Sequence, residues 1–278
     1  MKSAITISLV PETRNGPFVF HEGLEHGFKT AAGMGFDAVE IFPPSAEVLN
    51  VPELRRLCDA HGLRIAAIGT GAGWVLQKLS LVDPDPSVRA KALEFIIAIV
   101  DVAGAFGAPA ILGSMQGRWE PGSSREQALT WLTEALEILG ERAASHGTVF
   151  LYEFLNRYET NLFNRVGDSV EFLQSLGTRH VKLLCDLFHM NIEEANPAES
   201  LRSAGSLVGH VHFADSNRRA VGMGHSDMKS IVSALRDISY DGYLSAEIFA
   251  LPDSMTAAEQ TIRSFRELVS SDGSQTPT

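Results

Sequence analysis

The sequence predicts an α/β fold, a single-domain (β/α)8 barrel of the TIM barrel type. Strand-like and helix-like segments alternate eight times, and the 278 residues suffice for the roughly 250 that such a barrel needs. No Gly-x-Gly-x-x-Gly turn follows the first strand-like segment, which counts against a doubly wound open sheet. Because no linker-like stretch divides the chain, we predict one barrel over residues 1–269 and a disordered tail over residues 270–278.

Strands are predicted from short runs rich in β-branched and aromatic residues, and helices from the longer apolar or amphipathic runs between them. The predicted strands are residues 4–10, 38–41, 64–69, 110–112, 149–153, 181–186, 208–213 and 243–248. The predicted helices are residues 24–34, 52–61, 87–106, 125–146, 166–176, 197–204, 228–238 and 255–269. Their boundaries carry start and stop signals: Pro52 follows a polar cap at Asn50, and Gly107, Gly147 and Gly177 each follow a helix end.

Composition and charge exclude several classes of protein. With 45% hydrophobic and 21% charged residues, the chain is typical of a globular protein that buries a large core. The net charge of −11 argues against a nucleic-acid partner, which would favour a basic face. The most apolar stretch, residues 92–105, is interrupted by Glu94 and Asp101, so we expect a buried helix and no membrane association. Two cysteines only, Cys58 and Cys185, and the lack of a signal-peptide pattern favour a cytoplasmic protein.

Four polar residues, Glu153, Asp186, His212 and Glu247, stand at or near the ends of the last four predicted strands. The C-terminal ends of barrel strands share one rim, where such barrels build their active sites, so these side chains should converge. Three buried carboxylates repel one another unless a cation lies between them. Three oxygen ligands and one imidazole suit a divalent ion, so we predict a site for one Mn²⁺, Mg²⁺ or Co²⁺.

Three residues near these strand ends are candidates for binding the substrate. His189 follows the sixth strand in a predicted loop and is better placed to contact a ligand than the metal. Arg218, just past His212, can hydrogen-bond a carbonyl or hydroxyl oxygen, with Arg219 as the competing choice. Glu159 lies in a loop that can fold back over the pocket.

Other features of the rim admit more than one interpretation. His210 faces the same side of the sheet as His212, and we expect it to pack behind that ligand. Residues 222–225, Gly-Met-Gly-His, form a turn whose backbone N–H groups can cradle a phosphate, although the scarcity of basic residues nearby favours an unphosphorylated substrate. Three aromatic residues in predicted rim loops can either line a sugar pocket or pack between helices: Phe42, Trp74 and Trp119.

Three segments carry a resemblance to a known family. They are residues 153–160 (Glu-Phe-Leu-Asn-Arg-Tyr-Glu-Thr), 186–194 (Asp-Leu-Phe-His-Met-Asn-Ile-Glu-Glu) and 212–218 (His-Phe-Ala-Asp-Ser-Asn-Arg). They resemble the xylose-isomerase-like TIM barrel superfamily of sugar isomerases and epimerases, and within it the ketose 3-epimerases of the D-tagatose, D-psicose and L-ribulose type. The chain departs from that pattern at Phe154, Leu187 and Val221, and its residues 214–216 replace the Gly-Glu-Asn of the well-studied 3-epimerases. The sugar, and the carbon that is epimerised, therefore stay open.

The resemblance also implies roles for individual residues. It implies that one divalent ion, commonly Mn²⁺, is bound by Glu153, Asp186, His212 and Glu247. It further implies that Glu153 and Glu247 exchange the proton. The residues that it assigns to the sugar oxygens are Glu159, His189 and Arg218.

The chemistry of these residues supports proton exchange beside a carbonyl group. A divalent ion would stabilise the enediolate that forms when the proton is removed, and two glutamates on opposite sides of the sugar can remove and return a proton. We therefore expect a metal-dependent epimerase that inverts C3 of a free ketose through a cis-enediolate. A small sugar is the expected partner, and a homodimer or homotetramer is expected by analogy with similar barrels.

Three alternatives remain. Aldose–ketose isomerisation, including the inosose and hydroxypyruvate types, uses the same kind of site. An endonuclease with this fold would need further metal ligands and a basic face, and the net charge counts against it. A non-catalytic ligand-binding barrel would not require all four metal ligands and both glutamates.

Overall fold

The computed structural model describes residues 1–270 and shows a closed barrel of eight parallel strands. The strands are β1 (Lys2–Ser8), β2 (Ala38–Phe42), β3 (Arg64–Gly69), β4 (Ala110–Leu112), β5 (Phe150–Glu153), β6 (Val181–Asp186), β7 (Val208–His212) and β8 (Tyr243–Ala246). Each strand pairs with the next along the chain, and β8 closes the barrel against β1. The predicted (β/α)8 barrel is therefore confirmed.

Ten α-helices lie among residues 1–270. They are α1 (Leu24–Met34), α2 (Val51–His61), α3 (Ala72–Gln77), α4 (Pro86–Gly104), α5 (Arg125–Ser145), α6 (Val166–Ser175), α7 (Leu187–Glu193), α8 (Pro197–Ala204), α9 (Met228–Asp237) and α10 (Ser254–Ser270). Eight of them match the predicted helices to within a few residues, whereas α3 and α7 were not predicted. Within the described part of the chain, no helix combines the length and apolar character that a membrane crossing requires. Apart from its first residue, the predicted tail over residues 270–278 lies outside the described residues.

The packing of the barrel interior brings polar side chains to one rim. Small residues form a buried cluster near the N-terminal ends of the first three strands: Ala4, Ala38 and Ala66. One alanine and three larger residues form another buried cluster: Ala67, Ile111, Leu151 and Leu184. Because side chains alternate along a strand, Glu153 and Asp186, two residues beyond Leu151 and Leu184, face the same side at the C-terminal rim.

Candidate active site

The four strand-end residues converge at the C-terminal rim of the barrel. Glu153, Asp186 and His212 are the last residues of β5, β6 and β7, and Glu247 directly follows β8. His212 Nδ1 lies 3.6 Å from Glu153 Oε1, 3.5 Å from Asp186 Oδ2 and 3.6 Å from Glu247 Oε2. One ligand atom from each of the four residues lies within 4.8 Å of all the others, so the group can hold one metal ion.

The environment of these atoms fits a divalent cation. The side chains of Glu153, Asp186 and His212 are almost completely buried. His212 Nδ1 and Glu153 Oε1 have no hydrogen-bond partner among the described residues. Burying unpaired polar atoms and placing three carboxylates together are both costly, and a bound cation would offset both costs. Three oxygen atoms and one nitrogen are suitable ligands for Mn²⁺, Mg²⁺ or Co²⁺.

The charges in this group shift its pKa values in opposite directions. Burial raises the pKa of Glu247 to about 7, against the opposing charges of His212 and Arg218, and the neighbouring carboxylates raise it further. Burial also disfavours ionised Asp186, but the charges of His189 and Arg218 hold its pKa well below its usual range. A cation bound here would lower the pKa of each carboxyl that it touches.

His189 lies beside the carboxylates, in a helix instead of the predicted loop. Helix α7 begins directly after β6, because Asp186 Oδ1 accepts a hydrogen bond from the Phe188 N–H at 2.8 Å. His189 Nε2 is 3.6 Å from Asp186 Oδ2 and 3.7 Å from Glu153 Oε1. Asn156 Nδ2 donates to His189 Nδ1 at 2.7 Å, so the imidazole proton is on Nε2 and faces the site.

Arg218 reaches the same group of carboxylates from the loop after β7. Its Nη2 donates to Glu247 Oε2 and to Asp186 Oδ2, the latter at 3.3 Å, and its Nη1 lies 3.8 Å from Glu159 Oε1. Arg218 has a φ of 57°, in the left-handed region that non-glycine residues rarely adopt. Its backbone is held by hydrogen bonds to Asp215 O and from the Phe249 N–H, both 2.8 Å long. Arg219, the competing choice, does not line the pocket.

A cavity of about 450 Å³ opens above the four strand-end residues. Glu159, His189 and Arg218 all line it, together with Glu153, His212 and Glu247. Its opposite wall comes from the loop after β1 and from Phe42, whose ring lies 4.5 Å from that of Phe18. Trp74 and Trp119 do not line the cavity. Of the three aromatic residues considered, only Phe42 therefore borders the pocket.

Three buried polar residues support the site but were not identified from the sequence. Gln116 donates from Nε2 to Glu153 O at 2.8 Å and accepts from Tyr152 Oη at 2.7 Å, which fixes the end of β5. Asn156 orients His189, as described above. Glu40, in the middle of β2, contacts the rings of both His210 and His212. Burial opposes ionisation of Glu40, but the charge of His212 and hydrogen bonds from both rings hold its pKa well below its usual range.

The glycine-rich turn after β7 is organised by a carboxylate of the chain itself. Asp215 Oδ2 accepts hydrogen bonds from the backbone N–H groups of Gly222 at 2.8 Å and Gly224 at 3.0 Å. Asp215 Oδ1 accepts from those of Ser216 at 2.7 Å and Ser226 at 3.0 Å. These N–H groups are already paired, so they are not available to cradle a phosphate. The sequence carries one indication of this arrangement, because Asp215 stands seven residues before Gly222, the first glycine of the turn.

The chain matches known proteins along most of its length. The family model described as xylose isomerase-like TIM barrel matches residues 28–268. The chain is 31% identical over 241 residues to a 3-dehydro-D-guloside 4-epimerase from Escherichia coli, covering 84% of this chain and 90% of that protein. It is 31% identical over 232 residues to an L-ribulose 3-epimerase from Methylomonas sp., covering 82% of this chain and 79% of that protein.

Solved structures agree with these relationships. The crystal structure of an E. coli 3-keto-D-glucoside 4-epimerase has a TM-score of 0.79 at 26% identity, covering 96% of this chain and 100% of that one. A D-allulose 3-epimerase from Methylomonas sp. has a TM-score of 0.80 at 25% identity, covering 97% and 99% of the two chains. The chain therefore belongs to the xylose isomerase-like TIM barrel family and is an enzyme of the epimerase class.

Proposed function

We propose that this protein inverts C3 of a free ketose by proton exchange through a cis-enediolate, using one divalent ion held by Glu153, Asp186, His212 and Glu247. The observation that carries the proposal is the convergence of two glutamates from well-separated strands, β5 and β8, on one cluster that borders a sugar-sized cavity. Curated relatives named L-ribulose and D-psicose 3-epimerases support the choice of reaction.

The two glutamates have different surroundings, which suits them to opposite halves of a proton exchange. Glu247 Oε2 accepts a hydrogen bond from Arg218 Nη2, which holds this carboxylate at the edge of the cavity. Glu153 is held by the hydrogen bond from Gln116 to its backbone oxygen, and its Oε1 is free of hydrogen bonds within the described chain. One glutamate would remove the C3 proton from one face of the sugar and the other would return a proton to the opposite face.

The remaining residues would hold and polarise the sugar. The bound ion would stabilise negative charge on the carbonyl oxygen as the proton leaves. His189 presents its Nε2 proton to the site, and Arg218 presents a planar group of donors, so both can hydrogen-bond sugar oxygens. Glu159 borders the cavity from the loop after β5 and can accept a hydrogen bond from a sugar hydroxyl.

A second candidate is inversion of C4 in a glycoside that carries a keto group at C3. The E. coli relative bears the name 3-dehydro-D-guloside 4-epimerase, and the match covers 90% of its length, compared with 79% for the L-ribulose 3-epimerase. The chemistry is the same, because in both cases the exchanged proton lies on a carbon next to a carbonyl group. Only the position of that carbonyl differs.

Proton exchange in deuterated water tests both candidates. The protein is treated with chelator, reloaded with Mn²⁺ and incubated with a panel of ketoses, aldoses and 3-keto glycosides. The proposal predicts deuterium at C3 of an epimerised ketose, and the second candidate predicts deuterium at C4 of the glycoside. Conversion of an aldose to a ketose would favour the isomerase alternative, and exchange with none of these sugars would overturn the proposal.

Two variants assign the proton exchange to the glutamates. Glu153→Gln and Glu247→Gln, assayed at saturating Mn²⁺ with the bound metal measured, should each reduce exchange by at least about a hundredfold, since each removes a proton-transfer group that is also a proposed ligand of the ion. Glu141→Gln is the matched control, because Glu141 lies on helix α5 and accepts a hydrogen bond from Thr178 outside the pocket. Unchanged exchange in both pocket variants would contradict the assignment.

We also propose Mn²⁺ as the ion, a homodimer or homotetramer as the assembly and the cytoplasm as the compartment. Metal analysis of the purified protein tests the first of these, and light scattering after size-exclusion chromatography tests the second. Imaging of a fluorescent fusion in the source cell tests the third. Mg²⁺ or Co²⁺ in the purified protein would replace Mn²⁺ in the scheme without changing the roles of the residues.

A further inference from the structure

A buried carboxylate lies directly behind one of the four strand-end residues. Glu40 belongs to β2, which is not a neighbour of β7 in the barrel, and its side chain crosses the interior. Its Oε1 lies 3.1 Å from His212 Nε2, and its Oε2 lies 2.8 Å from His210 Nε2. Glu40 is 4% exposed and both histidines are 1% exposed, so water does not compete for these bonds.

The two bonds determine which nitrogen of His212 faces the cluster. An ionised carboxylate only accepts hydrogen bonds, so a ring that bonds to Glu40 through Nε2 must carry its proton there. In the neutral ring, the form that binds a metal ion, the other nitrogen, Nδ1, then has a free lone pair. That atom is the one within 3.6 Å of Glu153, Asp186 and Glu247.

We propose that Glu40 is a positioning residue for the metal centre: its carboxylate fixes the ring orientation and the tautomer of His212, so that Nδ1 is presented to the ion. The inference rests on the metal-dependent function proposed above. Partners of this kind commonly contribute strongly to metal binding, because they orient the ligand and increase its basicity. His210 holds the second carboxylate oxygen and so restrains Glu40 itself.

Two variants of Glu40 separate orientation from charge. Glu40→Gln removes the negative charge and leaves one acceptor for two rings. Glu40→Asp keeps the charge but shortens the side chain by one methylene, which moves the carboxylate away from His212. If Glu40 acts only through its charge, Glu40→Asp should bind metal like the wild type. If it positions His212, both variants should lose affinity.

The control is Asp37→Asn, which changes a carboxylate just before the start of the same strand. Asp37 accepts hydrogen bonds from Ser3 N at 2.7 Å and Ser3 Oγ at 2.9 Å. It lies at the opposite end of the barrel from the cluster. The Asp37→Asn variant should therefore change stability without changing metal affinity.

The main measurement is Mn²⁺ affinity without any sugar, from the loss of the electron paramagnetic resonance signal of free Mn²⁺ on titration with chelator-treated protein. We expect the dissociation constant to rise about 10- to 100-fold in both Glu40 variants and to stay within about twofold in the control. Wild-type affinity in Glu40→Asp would overturn the positioning role. Failure of the wild-type protein to bind Mn²⁺ would instead overturn the metal centre, and this role with it.

A second measurement reports the tautomer of His212 directly. Nitrogen-15 spectra of histidine-labelled wild-type protein, loaded with diamagnetic Zn²⁺, report the protonated nitrogen of each ring. The His212 signals are assigned by their loss in His212→Asn. We expect the His212 proton on Nε2. A proton on Nδ1 would overturn the inference, and in chelator-treated Glu40→Gln protein a merely structural Glu40 would leave the His212 ring signals unchanged.

Discussion

Replacing Gly113 by alanine tests whether the position of the Glu153 carboxylate controls turnover. Gly113 follows β4, and a Cβ added there would lie 2.5 Å from Glu153 Oε2, where ordinary contact begins at about 3.4 Å. The carboxylate would have to retreat by about 0.9 Å. The backbone of Glu153 cannot easily retreat with it, because Gln116 Nε2 donates to both Glu153 O, at 2.8 Å, and Gly113 O, at 3.0 Å.

A displacement of this size should be costly for proton transfer. Misplacing a reacting group by about 1 Å can reduce the rate about a hundredfold. We therefore expect kcat/KM of Gly113→Ala to fall about a hundredfold, equivalent to about 2.7 kcal/mol of transition-state stabilisation. The assay is exchange from deuterated water at saturating Mn²⁺, with the thermal unfolding midpoint measured on the same samples.

Gly33→Ala is the matched control for the loss of a glycine. Gly33 lies in helix α1, and nothing approaches an added Cβ within 4 Å. This variant should keep wild-type turnover and gain up to about 1 kcal/mol of stability, since alanine favours the helix. A folded Gly113→Ala protein with turnover within about threefold of the wild type would refute the reasoning.

Three further predictions concern the charged groups around the site. Arg218→Lys should raise KM for the sugar by about tenfold or more, because an ammonium group cannot bridge Glu247 and Asp186 as the planar guanidinium does. Steady-state kinetics measures KM, and an unchanged value would contradict this role of Arg218. Chelator-treated protein should lose up to roughly 3 kcal/mol of stability as the pH rises from about 5 to above 7. The reason is that burial raises the pKa of Glu247 from 4.5 to about 7, so between these pH values the folded protein keeps a proton that the unfolded chain releases. The stabilisation from this proton is fully present below pH 4.5 and is lost as the pH rises through about 7. Urea unfolding at several pH values should show this slope in chelated protein and a flatter profile with Mn²⁺; equal slopes would argue against it. Asp215→Asn should lower the free energy of unfolding by about 2 to 3 kcal/mol, because four backbone N–H groups lose an ionised acceptor. The control Asp237→Asn, at a position 53% exposed, should lower it by less than about 1 kcal/mol. Thermal unfolding compares the two variants, and equal losses would contradict the role of Asp215.

The barrel could be predicted because each strand is a self-contained signal. A buried strand of a parallel sheet is a short apolar run, and the glycines and polar caps between runs mark the helix ends. All eight predicted strands are present, and only their ends shift. For example, β8 ends at Ala246, so Glu247 lies one residue past the strand while still pointing at the cluster. The convergence of the strand ends then follows from the topology alone.

The local structure after β6 could not be predicted in the same way, because Asp186 has two uses. Its Oδ1 caps helix α7 through the Phe188 N–H, and its Oδ2 lies 3.5 Å from His212 Nδ1. A strand-terminal acid predicts a site residue or a helix cap, and nothing in the sequence indicates that one carboxylate serves both. That double use brings His189 against the carboxylates, since a helix starting at once carries it back over the rim.

Glu40 shows a second limit of prediction from the sequence, because its partners come within reach only when the barrel closes. Its partners His210 and His212 are 170 and 172 residues away and belong to a strand that does not neighbour β2. Periodicity places each of these residues on an inward face but does not say which inward residues meet across the interior. Physical chemistry still offers a constraint, because a charged group in the middle of an apolar strand needs a buried partner. In a predicted barrel the candidates for that partner are the other inward polar residues, and His210, which was expected only to pack behind His212, is one of them.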